Sequence, residues 1–441
     1  MEEDHPASLL GRKPSAHPMK TSGILLDTAS LRKFTTLIPG RNLAHVGVDY
    51  LCVLILHAGA IAVFENGRDW GWPIWSLFPV ALGTILLTGC IIHRIALLGH
   101  ESSHYLLMRN RKWNEIAADL FCFFPLWGSL VNYRRKHTGH HLHPNQPGKD
   151  PNLGTAAAEQ LFASFPMSRP SAIYKYYALF VWPPFVLRNL IQMGKVLGMG
   201  TSEARDRGEE TVRDAPRGLR LGPGPVGLLY LLTLFVALTW VRLLGNSVLM
   251  VAVPLGLHAL AAGVWALLPK AWFERQKGTL GYSKKAAGLI RLSIYAAIMI
   301  TATWARVFLG LQLGFYYLLF WLVPLLYVFP YLMLLRELYQ HANLGTGNLD
   351  NSRVIHADFF TRWALLAYGN DFHLIHHMYP NIPHYHLRAA HALLVERSED
   401  YRSQLQEVHG TVHRRRPDQT TLAESWAAEV SGNGHIRLPG A

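Results

Sequence analysis

Three histidine groups carry the chemistry legible in this chain: HESSH at 100–104, HTGHH at 137–141 and HLIHH at 373–377. On a helix, residues three and four apart share a face, so His100 with His104, and His137 with both His140 and His141, can point into one site. The third group repeats the H-x-x-H-H spacing. Neutral imidazole is a good ligand for Fe, Zn and Cu. Eight such side chains exceed what one tetrahedral zinc uses, so two ions are the economical reading. Taken alone, HESSH keeps another possibility open, the helical H-E-x-x-H of a zinc metalloprotease in which Glu101 would act as base.

Elements that could hold such groups in place follow from composition. Half of the 441 residues are hydrophobic and only 16% are charged, which is too apolar for an ordinary soluble protein of this length. A bilayer core about 30 Å thick needs about 20 apolar residues per helix. Windows at 44–64, 74–92, 225–244, 247–268, 286–305 and 307–335 meet that length and predict six crossings. The acidic start MEEDHPASLL lacks the apolar core of a secretory signal. Cys52, Cys90 and Cys122 lie in or beside apolar segments, where a small apolar packing role is expected rather than disulfides or a thiolate site.

Basic residues give the orientation. Arg12, Lys13, Lys20, Arg32, Lys33 and Arg41 precede the first window, whereas ENGRDWGWP after it carries a single Arg. Because Lys and Arg favour the cytoplasmic side of short loops, both termini and all three histidine groups are expected there. The net charge of +13 sits mainly in these loops and in the tail, a pattern that suits anionic lipid better than nucleic acid. The stretch 176–191 is apolar, but Pro183, Pro184 and Arg188 argue for a segment lying flat in the interface. A charged linker is expected at 201–224, and a soluble or partly disordered tail from 397.

The three motifs, in this order, resemble the histidine boxes of the integral-membrane fatty acid desaturase and hydroxylase family. Adjoining residues strengthen the likeness, in GHESSH, YRRKHTGHHLHPNQPGKDPN and DFHLIHHMYPNIPHYHLRAAH. The resemblance implies an all-α integral membrane fold, about six transmembrane helices with a cytoplasmic, histidine-rich metal-binding cap. It divides the chain into an N-terminal segment at 1–43, a membrane desaturase-like domain at 44–396 and a C-terminal tail at 397–441. Family members carry one more ligand histidine after the last span, and the matching position is His341 in RELYQHANLG. The implied ligands are therefore His100, His104, His137, His140, His141, His341, His373, His376 and His377, holding two iron ions that act with O2. Glu337, one turn before His341, stands as an oxygen ligand or a partner to one, while Asp371 and Asp150 are candidates to orient ligand N–H groups.

The activity so implied is O2-dependent introduction of a double bond into the acyl chain of a fatty acid or lipid. Lipid or carotenoid hydroxylases and ketolases share similar boxes and form the alternative, and a metal-binding membrane protein without catalysis is a third. With neither a heme motif nor a dinucleotide fingerprint in the chain, electrons are expected from an external ferredoxin or cytochrome b5, steered by the basic surface.

Overall fold

A computed structural model describes residues 26–153, 161–178, 222–274, 279–414 and 416–430, with 182, 184, 187 and 436–437. The N-terminal 25 residues, the 201–221 part of the expected linker and most of 179–191 lie outside the described residues.

Among the described residues, six helices are long and apolar enough to cross a membrane: Arg41–Asn66, Ile74–Ser103, Pro223–Leu244, Ser247–Leu267, Lys284–Phe308 and Leu313–His341. All but the fourth extend beyond their apolar windows at one end or both, because the residues there still satisfy their backbone within the helix. Asn246 starts the fourth span by accepting from the N–H groups of Val248 and Leu249, both at 3.0 Å. The fifth and sixth spans divide later than the hydropathy of 307–335 suggests. Val307 and Phe308 finish the fifth, and Gly310 turns the chain with φ +69°. Large apolar side chains such as Leu54, Ile55, Phe235 and Trp240 face outward, as a lipid environment allows. Trp70, Trp72 and Trp75 are exposed around the first hairpin turn, where an aromatic belt would sit.

Two bundles form. The second and sixth spans approach so closely at Gly89 that an added Cβ would lie 2.3 Å from the Cβ of Val328. The third and fifth spans pack through Leu234, Leu238, Ala296 and Ile300, and the fourth lies against both. His258 ties all three together, its Nδ1 2.7 Å from the Tyr230 hydroxyl and its Nε2 3.1 Å from Ser293 Oγ.

At one end of the spans the chain builds a polar cap. Helical segments Arg111–Leu126 and Leu130–Leu142 meet at a bend of 93°. Their buried Asn114, Glu115 and Asp119 are all partnered: Glu115 takes Arg134 at 2.5 Å, and Asp119 accepts from Leu130 N–H and the Tyr282 hydroxyl. So many internal polar bonds fit a folded cap better than a crossing. Beyond the sixth span, strand β1 (Val354–His356) pairs in parallel with β2 (Glu407–His409). Helices His373–Met378 and His384–Arg397 follow β1 in the chain.

The described part of the segment after 397 packs on the cap. Tyr401 and Trp426 are buried, and Trp426 packs its ring against Phe165, Tyr176 and Tyr339 at centroid distances of 5.8, 5.8 and 5.7 Å. Backbone bonds fix it further, with Met167 N–H donating to Trp426 O at 2.8 Å. Polar composition hides these few aromatic anchors, whose burial is enough to hold the segment on the cap.

Candidate metal centre

The first histidine group occupies the end of the second span, where Ser102 and Ser103 turn their hydroxyls back to the carbonyls of Gly99 and His100. His104 is the first residue past the helix. The second group lies on Leu130–Leu142, His341 on the last turn of the sixth span, and the third group on the short helix His373–Met378. Four elements remote in sequence therefore converge.

Their ring nitrogens fall into two groups. His100, His104, His137, His141 and His376 form one, and His140, His341, His373 and His377 the other, with the donor atoms of each group all within 4.8 Å of one another. The H-x-x-H-H spacing divides between them. His137 and His141, four apart, enter the first group while His140 enters the second; His373 and His377 enter the second while His376 enters the first. Sequence spacing alone had allowed His137, His140 and His141 to share one site. The rings of His141 and His377 stack at 4.3 Å and join the groups.

Within the groups, Nε2 meets Nε2. His104 and His137 stand at 3.0 Å, His137 and His141 at 2.9 Å, His141 and His376 at 3.2 Å, His341 and His373 at 3.0 Å, and His373 and His377 at 3.1 Å. Neighbouring ligands each about 2.1 Å from one ion at right angles would lie about 3 Å apart. Buried imidazole nitrogens otherwise seek hydrogen bonds. Yet both nitrogens of His100 have no such partner, and the facing Nε2 atoms meet only other imidazole nitrogens among the described residues. These donors fit metal ions, and five imidazoles in one group are more than a tetrahedral zinc takes.

Outer contacts orient two of the rings. His140 Nδ1 donates to both oxygens of buried Asp150, at 3.0 and 2.9 Å, and Asp150 is itself fixed by the N–H groups of Asn145 and Asn152. His341 Nδ1 donates to the Asn351 carbonyl at 2.9 Å, which leaves its Nε2 facing His373. Asn145 donates to the carbonyls of Gly345 and Asn351, linking the loops behind both histidines. No spacing rule marks Asn145 or Asn351, since their role comes from loop geometry.

The acidic residues differ from one another. Asp150 lies where an orienting carboxylate is expected. Glu337 lies beside the site, where its charge acts on His140, but its Oε1 accepts from Asn152 Nδ2 at 2.7 Å and it is in neither nitrogen group. Asp371 pairs its carboxylate with Arg362 Nε at 3.1 Å, and its backbone carbonyl serves β1. Glu101 also turns away from the protease role. Its Oε2 accepts the His384 N–H at 3.0 Å, and its Oε1 is 4.0 Å from His100 Nδ1.

Electrostatics keep most of these rings neutral. Burial, then the neighbouring imidazoles, hold His137, His376 and His377 well below the ordinary 6.5, and His373 is lowered by the same causes. Burial and Arg134 bring His104 to about 4. For His140, burial acts downward, but the Asp150 hydrogen bond and the charges of Glu337 and Asp150 outweigh it and raise the value. A carboxylate on the far ring nitrogen strengthens an imidazole as a ligand.

The family model for fatty acid desaturase matches residues 71–274 and 257–409, and so spans the second apolar helix and all three histidine groups. Among individual proteins, the chain is 30% identical over 111 residues to dihydrorhizobitoxine desaturase of Bradyrhizobium elkanii, which is 25% of this chain and 29% of that protein. It is 28% identical over 108 residues to sn-1 oleoyl-lipid 12-desaturase of Anabaena variabilis, covering 24% and 29%. With Delta(8)-fatty-acid desaturase of Helianthus annuus it shares 33% over 111 residues, 24% and 22%. Less than a third of each relative's length is aligned. The family match extends over most of the chain and includes every element that carries the histidine groups, and on that ground this protein belongs to the fatty acid desaturase family.

Proposed function

We infer that this protein is a membrane oxidoreductase that introduces a double bond into the acyl chain of a fatty acid or lipid, using O2 and electrons from an external donor. The observation that carries this reading is the division of nine imidazoles into groups of five and four. Such a pair of nitrogen-rich sites fits two iron ions, with His100, His104, His137, His141 and His376 as ligands of one and His140, His341, His373 and His377 as ligands of the other. When bound, the ions would supply the oxidising power that removes hydrogen from an unactivated methylene, which no side chain can provide.

The chain's own residues do the rest. Burial keeps His137, His373, His376 and His377 unprotonated at neutral pH, so their lone pairs are available. Asp150 and the Asn351 carbonyl hold His140 and His341 in the tautomer that presents Nε2. The second and sixth spans both end at the site, so an acyl chain lying among the helices can reach it without crossing water. By the distribution of Lys and Arg, this cap and both termini face the cytoplasm, where an acidic ferredoxin or cytochrome b5 would dock.

Lipid profiling by mass spectrometry in a host expressing the protein, beside the same host expressing His141→Ala, tests this reading. The expected product lacks two hydrogens in an acyl chain and is absent from the variant. An added oxygen would instead establish a hydroxylase, and an altered pigment a carotenoid enzyme.

A further inference from the structure

A separate donor cluster lies outside the nine histidines. Glu407 and His409, two apart on β2, share a face of the strand, and His356 stands directly opposite His409 across the parallel pair. The rings of His356 and His409 stack at 4.5 Å, and His356 Nε2 is 2.5 Å from Glu407 Oε1. The three side chains offer donor atoms within 4.8 Å of one another. A fourth group stands at the margin: His391 Nε2 is 3.6 Å from the same carboxylate oxygen, while its Nδ1 is held by the Tyr401 hydroxyl at 2.8 Å.

We propose that His356, Glu407 and His409 bind one divalent ion of the zinc class, with His391 placed to complete the coordination. Two or three imidazoles and one carboxylate are a donor set that zinc accepts in tetrahedral geometry. Unlike the buried boxes, the site opens to solution, since the side chains of His356 and Glu407 are 35% and 32% exposed. Both His356 and His391 turn Nε2 toward the same Glu407 oxygen, so the donors converge on one point.

Position gives the site a consequence. β1 accepts β2 on one side, with Val354 N–H donating to Gln406 O at 2.9 Å. On the other side Ile355 N–H donates to Asp371 O at 2.8 Å, two residues before His373. An ion bridging β1 and β2 therefore clamps the C-terminal segment to the strand that supports the third histidine box.

The test uses the full-length chain purified in detergent, exposed to zinc sulfate and freed of unbound metal, in wild type, Glu407→Gln and His409→Ala. Wild type should retain one zinc per chain more than either variant, whatever the nine-histidine centre holds, and zinc should raise the melting temperature of wild type by more than that of either variant. Equal zinc content in all three proteins would overturn the proposal. Should His409→Ala fail to fold, Glu407→Gln decides the matter, because it preserves side-chain volume and removes only the charge.

Discussion

Asp150 shows how one carboxylate bears on the whole centre. It accepts two contacts from His140 and two backbone N–H groups, so its charge and position are both fixed. Asp150→Asn keeps the shape but loses the charge, and iron affinity should fall about 10–100-fold. Competition with a calibrated chelator measures it, and unchanged affinity would contradict the role. The neutral histidines make a second prediction at this scale. Their folded values lie below the 6.5 of the unfolded chain, so the unfolded state binds more protons once pH drops under 6.5. Stability of the metal-free protein is then complete above that pH and lost progressively as pH falls toward 4 and lower. Thermal unfolding between pH 8 and 5 should show a falling midpoint, and a flat profile would be inconsistent with buried neutral rings.

Among the elements, the contact between second and sixth spans decides whether His100 and His104 meet His341's half of the site. Gly89→Ala would place a methyl 2.3 Å from Val328 Cβ, an atom that cannot rotate away. Overpacking of this kind costs about 1–3 kcal/mol. Gly89→Ala should lower the melting temperature and Val328→Gly in the same chain should recover part of it; an unchanged midpoint would show the helices free to separate. The spans themselves were legible because 20-residue apolar runs have few other uses. The boxes were legible because i, i+3 and i+4 repeats of histidine are rare. Which of the two groups each histidine joins was not, since His137, His140 and His141 lie on neighbouring arcs of one helix and only the arrival of the third box separates them. His341 came from family likeness alone. Asp371 and Arg362, and Trp426 with Tyr176, are pairings between distant segments that no local pattern announces.

Across the whole molecule, charge and hydropathy divide the labour. Lys and Arg number 42 against 29 Asp and Glu, and the basic loops flank the apolar helices. Steering of an acidic electron donor by such a surface weakens with screening, as the Debye length shortens from about 10 Å at 0.1 M salt to 3 Å at 1 M. Turnover with ferredoxin or cytochrome b5 as donor should therefore slow as salt rises, and salt-independent turnover would argue for a different electron route. The central claim concerns the ions themselves. Elemental analysis of the purified protein tests it most directly: two irons per chain are predicted, lost together in a His141→Ala, His377→Ala double variant, whereas a chain carrying zinc and no iron while converting its lipid without O2 would contradict it.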